Sequence, residues 1–198
     1  MEGPPNVSYD GPDAGVLPRV AHKIFSTIEK SSQSSDSDPS SSFSYSVGMS
    51  VIEIYLERIV DLLDSGVKKN NGNEMLKIRE DASGGVYLEG VVEQNVADAR
   101  GLIKCLETAG KKRSTGGHAM NARSSRSHLV AIVTVTQKKE GVTTVGKMSI
   151  CDLAGSEMVR KTEAEGQRLK EAKAINRSLS GERWCRPACN SMSLSAQL

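Results

Sequence analysis

Aromatic residues are scarce, at 4% of 198. None falls within the basic half, residues 100–180, and no groove-reading motif appears, which argues against a nucleic-acid binder that stacks bases on rings. No uninterrupted apolar run reaches about 18 residues, and no charged start leads into an apolar stretch with a small-residue cleavage site, so neither a membrane span nor a secretory signal is expected. Cysteines number four, Cys105, Cys151, Cys185 and Cys189. They are too few and too scattered for a disulfide scaffold, and no Cys or His pair completes a four-ligand zinc spacing. A soluble, intracellular protein with plain thiols is the expectation.

What is abundant is charge, and it is divided along the chain. Residues 1–99 hold 16 acidic against 8 basic side chains, residues 100–180 hold 7 against 16, and the whole carries only +2. A basic half suits an acidic partner such as phosphate or an acidic protein surface, with a plain solvated face as the alternative.

Four of six prolines fall in the first 18 residues, which read as loop. Pro18 then opens a helix with Val20, Ile24 and Ile28 on one face, dissolving at Ser31-Ser32. Ten serines among residues 31–46 suggest a flexible surface loop. Val47 to Leu56 reads as a buried strand, and Ile59, Val60, Leu62 and Leu63 as a helical turn ended by Asp64-Ser65-Gly66. Met75–Arg79 and Val86–Val92 form a hairpin about Ser83-Gly84-Gly85, and Ala97 to Ala109 an amphipathic helix with Gly110 at its C-cap. Strands Leu129–Thr136 and Val142–Leu153 follow, joined by a charged turn, and Glu163–Ser180 is the clearest helix. Strands interleaved with helices predict an α/β sheet flanked by helices.

Gly141 to Lys147 nearly spells a phosphate loop. Met148 then stands where a Mg²⁺-binding hydroxyl belongs, and the segment runs from a charged turn into an apolar strand rather than from a strand into a helix. It reads as strand.

Two other segments carry chemistry. Asn121-Ala122-Arg123-Ser124-Ser125-Arg126-Ser127-His128 offers hydroxyls for Mg²⁺ or phosphate oxygens beside two guanidinium groups. Asp152-Leu153-Ala154-Gly155-Ser156-Glu157 places a carboxylate at the end of an apolar strand, where open α/β sheets bind ligands. A glycine three residues on lets a backbone N–H approach a phosphate. Singly these segments read as an exposed loop and as a capped turn; they can converge at one rim because the first leads into the strand beside the second.

Together they resemble the two nucleotide switches of the kinesin motor domain. Val51-Ile52-Glu53-Ile54-Tyr55 with Asp61-Leu62-Leu63, and Gly166 to Ser180, are similar to further segments of that family, so the resemblance spans residues 1–180. It implies a partial P-loop NTPase-like motor domain with a central mixed β-sheet, and ATP and Mg²⁺ as cofactors. By position, Ser125 resembles the Mg²⁺ ligand and Ser124 the contact to the γ-phosphate or attacking water, with Asn121 also at the nucleotide. Asp152 resembles the partner of Mg²⁺ through water, Gly155 the backbone sensor of the γ-phosphate, and Arg126 with Glu157 the ion pair that closes the switches.

Lys170, Lys173 and Arg177 lie on one face of the last helix, with Leu169, Ala172 and Leu179 nearly opposite. In the resemblance this helix, with Arg168, and the preceding Arg160 and Lys161 meet the acidic surface of tubulin, with Arg79 of the hairpin as a second contact. Microtubules are therefore the expected partner and the cytoskeleton the expected location. Met1-Glu2-Gly3 resembles the segment just after the family's phosphate loop, which on this reading lies outside the chain. ATP and Mg²⁺ are then expected to bind weakly or not at all. Residues 181–198 break the pattern at Pro187 and read as a divergent, unstructured tail.

Overall fold

A computed structural model describes residues 11, 13–35, 43–56, 58–65, 76–82, 84–115, 125–155 and 173–177. The element order is α1 (Val16–Ser35), β1 (Phe43–Tyr55), β2 (Arg58–Asp61), β3 (Lys77–Glu80), β4 (Val86–Glu89), β5 (Gln94–Val96), α2 (Ala99–Thr115), β6 (His128–Lys139) and β7 (Val142–Asp152). The sheet runs β2-β1-β6-β7 with β5 also on β1, and β3-β4 stand apart as a hairpin. The α/β class is as expected, and every pairing among the described residues is antiparallel.

Both helices cover one face of the sheet. Leu17, Ala21, Phe25 and Ile28 of α1 and Leu102, Leu106 and Ala109 of α2 pack on Val47, Met49 and Val51 of β1 and on Leu129, Ala131 and Val133 of β6. Burying each large side chain among these contributes roughly 1.5–3 kcal/mol. The opposite face carries a smaller cluster, Ile52, Ile59 and Leu76, with Leu88 of the hairpin against it. β1 is buried without a break from Val47 to Glu53, which is why it reads as a continuous apolar run rather than an alternating one.

Three expectations are corrected. Residues 59–61 are strand β2, not a helical turn: their burial alternates and Ile59 lies opposite Ile54 of β1. Helix α1 passes Ser31-Ser32 and ends at Ser35, with the hydroxyls of Ser31 and Ser32 donating back to the carbonyls of Thr27 and Ile28 at 3.0 and 3.1 Å. With β1 beginning at Phe43, the serine-rich stretch is structured at both ends, and residues 36–42 lie outside the described ones. Gly110 does not cap α2, which continues to Thr115. Lys112 and Arg113 in its last turn favour the negative end of the helix dipole, and both side chains reach carbonyls beyond it. The helix starts where Asp98 accepts the amide of Gly101 at 2.7 Å.

Gly141 to Met148 is the turn and first half of β7, as expected from the sequence. Glu140 and Gly141 both adopt positive φ, 51° and 80°, giving the tight turn that the twist of two antiparallel strands prefers. Among the described residues β7 is an outer strand of the sheet. No described helix is long and apolar enough to cross a membrane.

Candidate nucleotide-switch site

The β6–β7 hairpin explains why the two segments meet. Its register is unbroken from Lys139↔Val142 to Leu129↔Asp152, so the chain entering β6 and the chain leaving β7 emerge side by side at one rim. There the amide of Gly155 donates to the carbonyl of Ser125 at 2.9 Å. The amide of Ala154 donates to Nδ1 of His128 at 3.1 Å, deep enough that Ala154 is 5% exposed. A Cβ placed on Gly155 meets only the Ser125 carbonyl, at 3.5 Å, an ordinary contact.

Under this rim lies a charged network built by three elements. Register places Glu53 of β1, Leu129 of β6 and Asp152 of β7 in one row across the helix-covered face. From the end of α2, Arg113 reaches between the two carboxylates, 3.5 Å from Glu53 and 3.8 Å from Asp152. Its guanidinium also donates to the carbonyl and hydroxyl of Ser127 at 2.8 and 3.0 Å, and the Ser127 hydroxyl donates to Glu53 at 2.7 Å. Glu53 is 2% exposed and Ser127 fully enclosed, whereas Asp152 is half open to solvent. Burial, and then the positive charge of Arg113, hold the His128 imidazole below its ordinary value, so it stays neutral and able to accept a hydrogen bond.

Of the residues singled out in the sequence, Ser125, Asp152 and Gly155 are gathered at this rim. Arg126 is half-buried one residue beyond Ser125. Asn121, Ser124, Glu157, Arg160, Lys161, Arg168 and Lys170 lie outside the described residues. Arg79 stands on β3 and donates to Glu89 of β4 at 2.8 Å, both about half-exposed, and the guanidinium holds the Glu89 carboxyl below the usual carboxylate range. Residues 173–177 are helical, with Lys173 and Arg177 exposed and Ile175 buried, so one face packs and the other is basic. Arg113 was not singled out from the sequence, and His128, though it closes the first quoted segment, was given no role there. The only signal for Arg113 was its place in the Lys111-Lys112-Arg113 run.

Oxygen donors dominate what the described rim offers a metal: the Ser125 hydroxyl and the Asp152 carboxylate suit a hard cation such as Mg²⁺. No cluster of three or more His, Cys, Asp or Glu that could hold a metal ion occurs among the described residues.

Comparison with known proteins matches residues 1–183 to the kinesin motor domain. The chain is 43% identical over 167 residues to Kinesin-related protein 5 of Dictyostelium discoideum, covering 84% of this chain and 16% of that one. Kinesin-like protein KIN-1 of Arabidopsis thaliana is 40% identical over 182 residues, 91% of this chain and 36% of the relative. Among solved structures, a fast kinesin studied for its ATPase mechanism and interactions with microtubules superimposes with a TM-score of 0.68 at 38% identity, over 89% of this chain and 46% of that one. A KIF14 dimer with AMP-PNP in complex with a microtubule gives 0.67 at 34% identity, over 86% and 47%.

Proposed function

Because the chain belongs to the kinesin motor domain family, we propose that it is the switch-bearing part of a microtubule motor that binds and hydrolyses ATP. The hydrogen bond from Gly155 to Ser125 carries this reading, because it joins the two loops that such a motor must move together. Mg-ATP, when bound, supplies the transferable phosphoryl group and the charge to which the loops respond. Ser125 and Asp152 contribute hard oxygen atoms for the cation, the latter through water. Ser124 and Asn121 line the nucleotide, with Ser124 at the γ-phosphate or the attacking water. Gly155, with no side chain in the way, can exchange the Ser125 carbonyl for a phosphate oxygen. Arg126 and Glu157 pair as the loops close.

Arg160, Lys161, Arg168, Lys170, Lys173 and Arg177 form the tubulin-facing surface, and Arg79 a second contact on the hairpin. The Arg79–Glu89 pair is exposed and so costs little to exchange for an acidic partner. Such a chain works on the cytoskeleton. Co-sedimentation with microtubules at rising salt, with and without Mg-ATP, tests the reading. The chain is expected to pellet at low salt, to release as salt rises, and to bind more weakly after Lys173→Glu with Arg177→Glu. A chain that stays in the supernatant throughout overturns it.

A second reading is a chain that holds microtubules through the same basic surface, with Lys173 and Arg177 exposed on it, without turnover. Phosphate release in the presence of microtubules separates the two. Pelleting without release selects the second.

A further inference from the structure

Two consecutive amides of the second switch loop, those of Ala154 and Gly155, are both given to the first segment. They differ in kind. Gly155 bonds a backbone carbonyl, which any residue at 125 provides, but Ala154 bonds a side chain, Nδ1 of His128, and only an acceptor in that place can serve. Ala154 is 5% exposed and His128 7%, so water is poorly placed to replace the bond. We propose that His128 is a positioning residue for the nucleotide switches, holding the Ala154 amide through Nδ1 and so fixing where Asp152 and Gly155 stand.

A neutral imidazole has one acceptor nitrogen, and an acceptor at Nδ1 puts the hydrogen on Nε2. The surroundings favour that neutral form. His128 is enclosed, and Arg113 of α2 projects positive charge towards it. Among the described residues the other charged groups of this corner are Glu53 of β1 and Asp152 of β7, both set against Arg113, and Arg126 two residues earlier in the chain. Because Nδ1 lies closer to the backbone than Nε2, an asparagine carbonyl can reach the same amide, whereas a glutamine reaches as Nε2 does.

This inference rests on the reading of residues 125–128 and 152–155 as paired nucleotide switches, but its test needs no nucleotide, so failure of one is distinguishable from failure of the other. Amide exchange at Ala154 is followed in the full chain for the natural sequence and for His128→Asn, His128→Gln and His128→Ala. The ring nitrogens of His128 are observed by ¹⁵N spectroscopy in the unsubstituted protein. Expected are the Nε2–H tautomer, exchange at Ala154 about tenfold faster in the alanine and glutamine variants, the scale of one net hydrogen bond, and recovery in the asparagine variant. A hydrogen on Nδ1 overturns the proposal even if every variant fails to fold. So does an asparagine variant that folds and exchanges as fast as the alanine one.

Discussion

The guanidinium of Arg113 lies 3.5 Å from the carboxylate of Glu53, and the two are joined a second time through the hydroxyl of Ser127. Their elements are far apart in sequence, β1 and the end of α2, yet the pair sits directly under the rim where the switch segments meet. Removing one member of a buried pair leaves the other charge without compensation, a loss of about 3–5 kcal/mol in well-enclosed cases. Glu53→Ala is therefore expected to lower the urea midpoint strongly, while Arg113→Lys keeps the charge, loses the fork and costs less. Equal midpoints for Glu53→Ala and the unsubstituted chain refute this account of the network.

The β6–β7 part of the sheet is legible in the sequence because it is a local hairpin, whereas the pairing of β1 with β6 joins residues far apart in the chain. Leu129–Thr136 and Val142–Leu153 read as strands about a charged turn, and once that hairpin is drawn, residues 125 and 155 must end at the same rim. Of what escaped reading, only Arg113 depends on partners distant in the chain. β2 is too short for its alternation to beat a helical reading of Ile59-Val60-Leu62-Leu63, and only β1 beside it decides. The serines that extend α1 favour a loop by composition, yet the helix runs through them, and the hydroxyls of Ser31 and Ser32 bond back to the preceding turn. Arg113 drew no reading of its own, because its carboxylate partners lie 60 residues upstream and 39 downstream.

Asp61 closes β2 and ties it to the hairpin side of the molecule. Its carboxylate accepts the amides of Leu63 and Asp64 at 2.8 and 3.1 Å and that of Val92 at 2.7 Å, while the residue is 8% exposed. Asp61→Ala strands three amides, and about 2–3 kcal/mol of stability should go with them. Asp61→Asn, which retains an acceptor oxygen, should lose roughly half as much. Thermal denaturation gives the ranking, and faster exchange at the Val92 amide locates the damage. Unchanged exchange there refutes the tether.

β7 runs for 11 residues with β6 on one edge, and among the described residues no second strand is paired with it. Val142, Val145 and Leu153 are more than half exposed on or just beyond it. A long edge of this kind is a template for further strands. The chain is expected to self-associate with rising concentration, and Val145→Lys to suppress this at a folding cost within about 0.5 kcal/mol. Sedimentation velocity over a wide concentration range decides. A single monomeric species throughout, or association untouched by the lysine, removes the edge as its cause.

Acid should weaken this protein through His128. The folded imidazole is held below its ordinary value by burial and by Arg113, so between the folded and unfolded values the unfolded chain binds more protons at this site. Its contribution to stability is therefore complete above the unfolded value of about 6.5 and is lost progressively as pH falls through the folded one. One proton limits the slope to about 1.4 kcal/mol per pH unit. Carboxylates also titrate at the acid end, and His128→Asn separates the two, since it keeps an acceptor for Ala154 and cannot charge. Urea midpoints taken from neutral to mildly acid solution should fall more steeply for the natural sequence than for this variant. Two parallel curves show that the histidine titrates alike in the folded and unfolded chains and remove the pH dependence assigned to it.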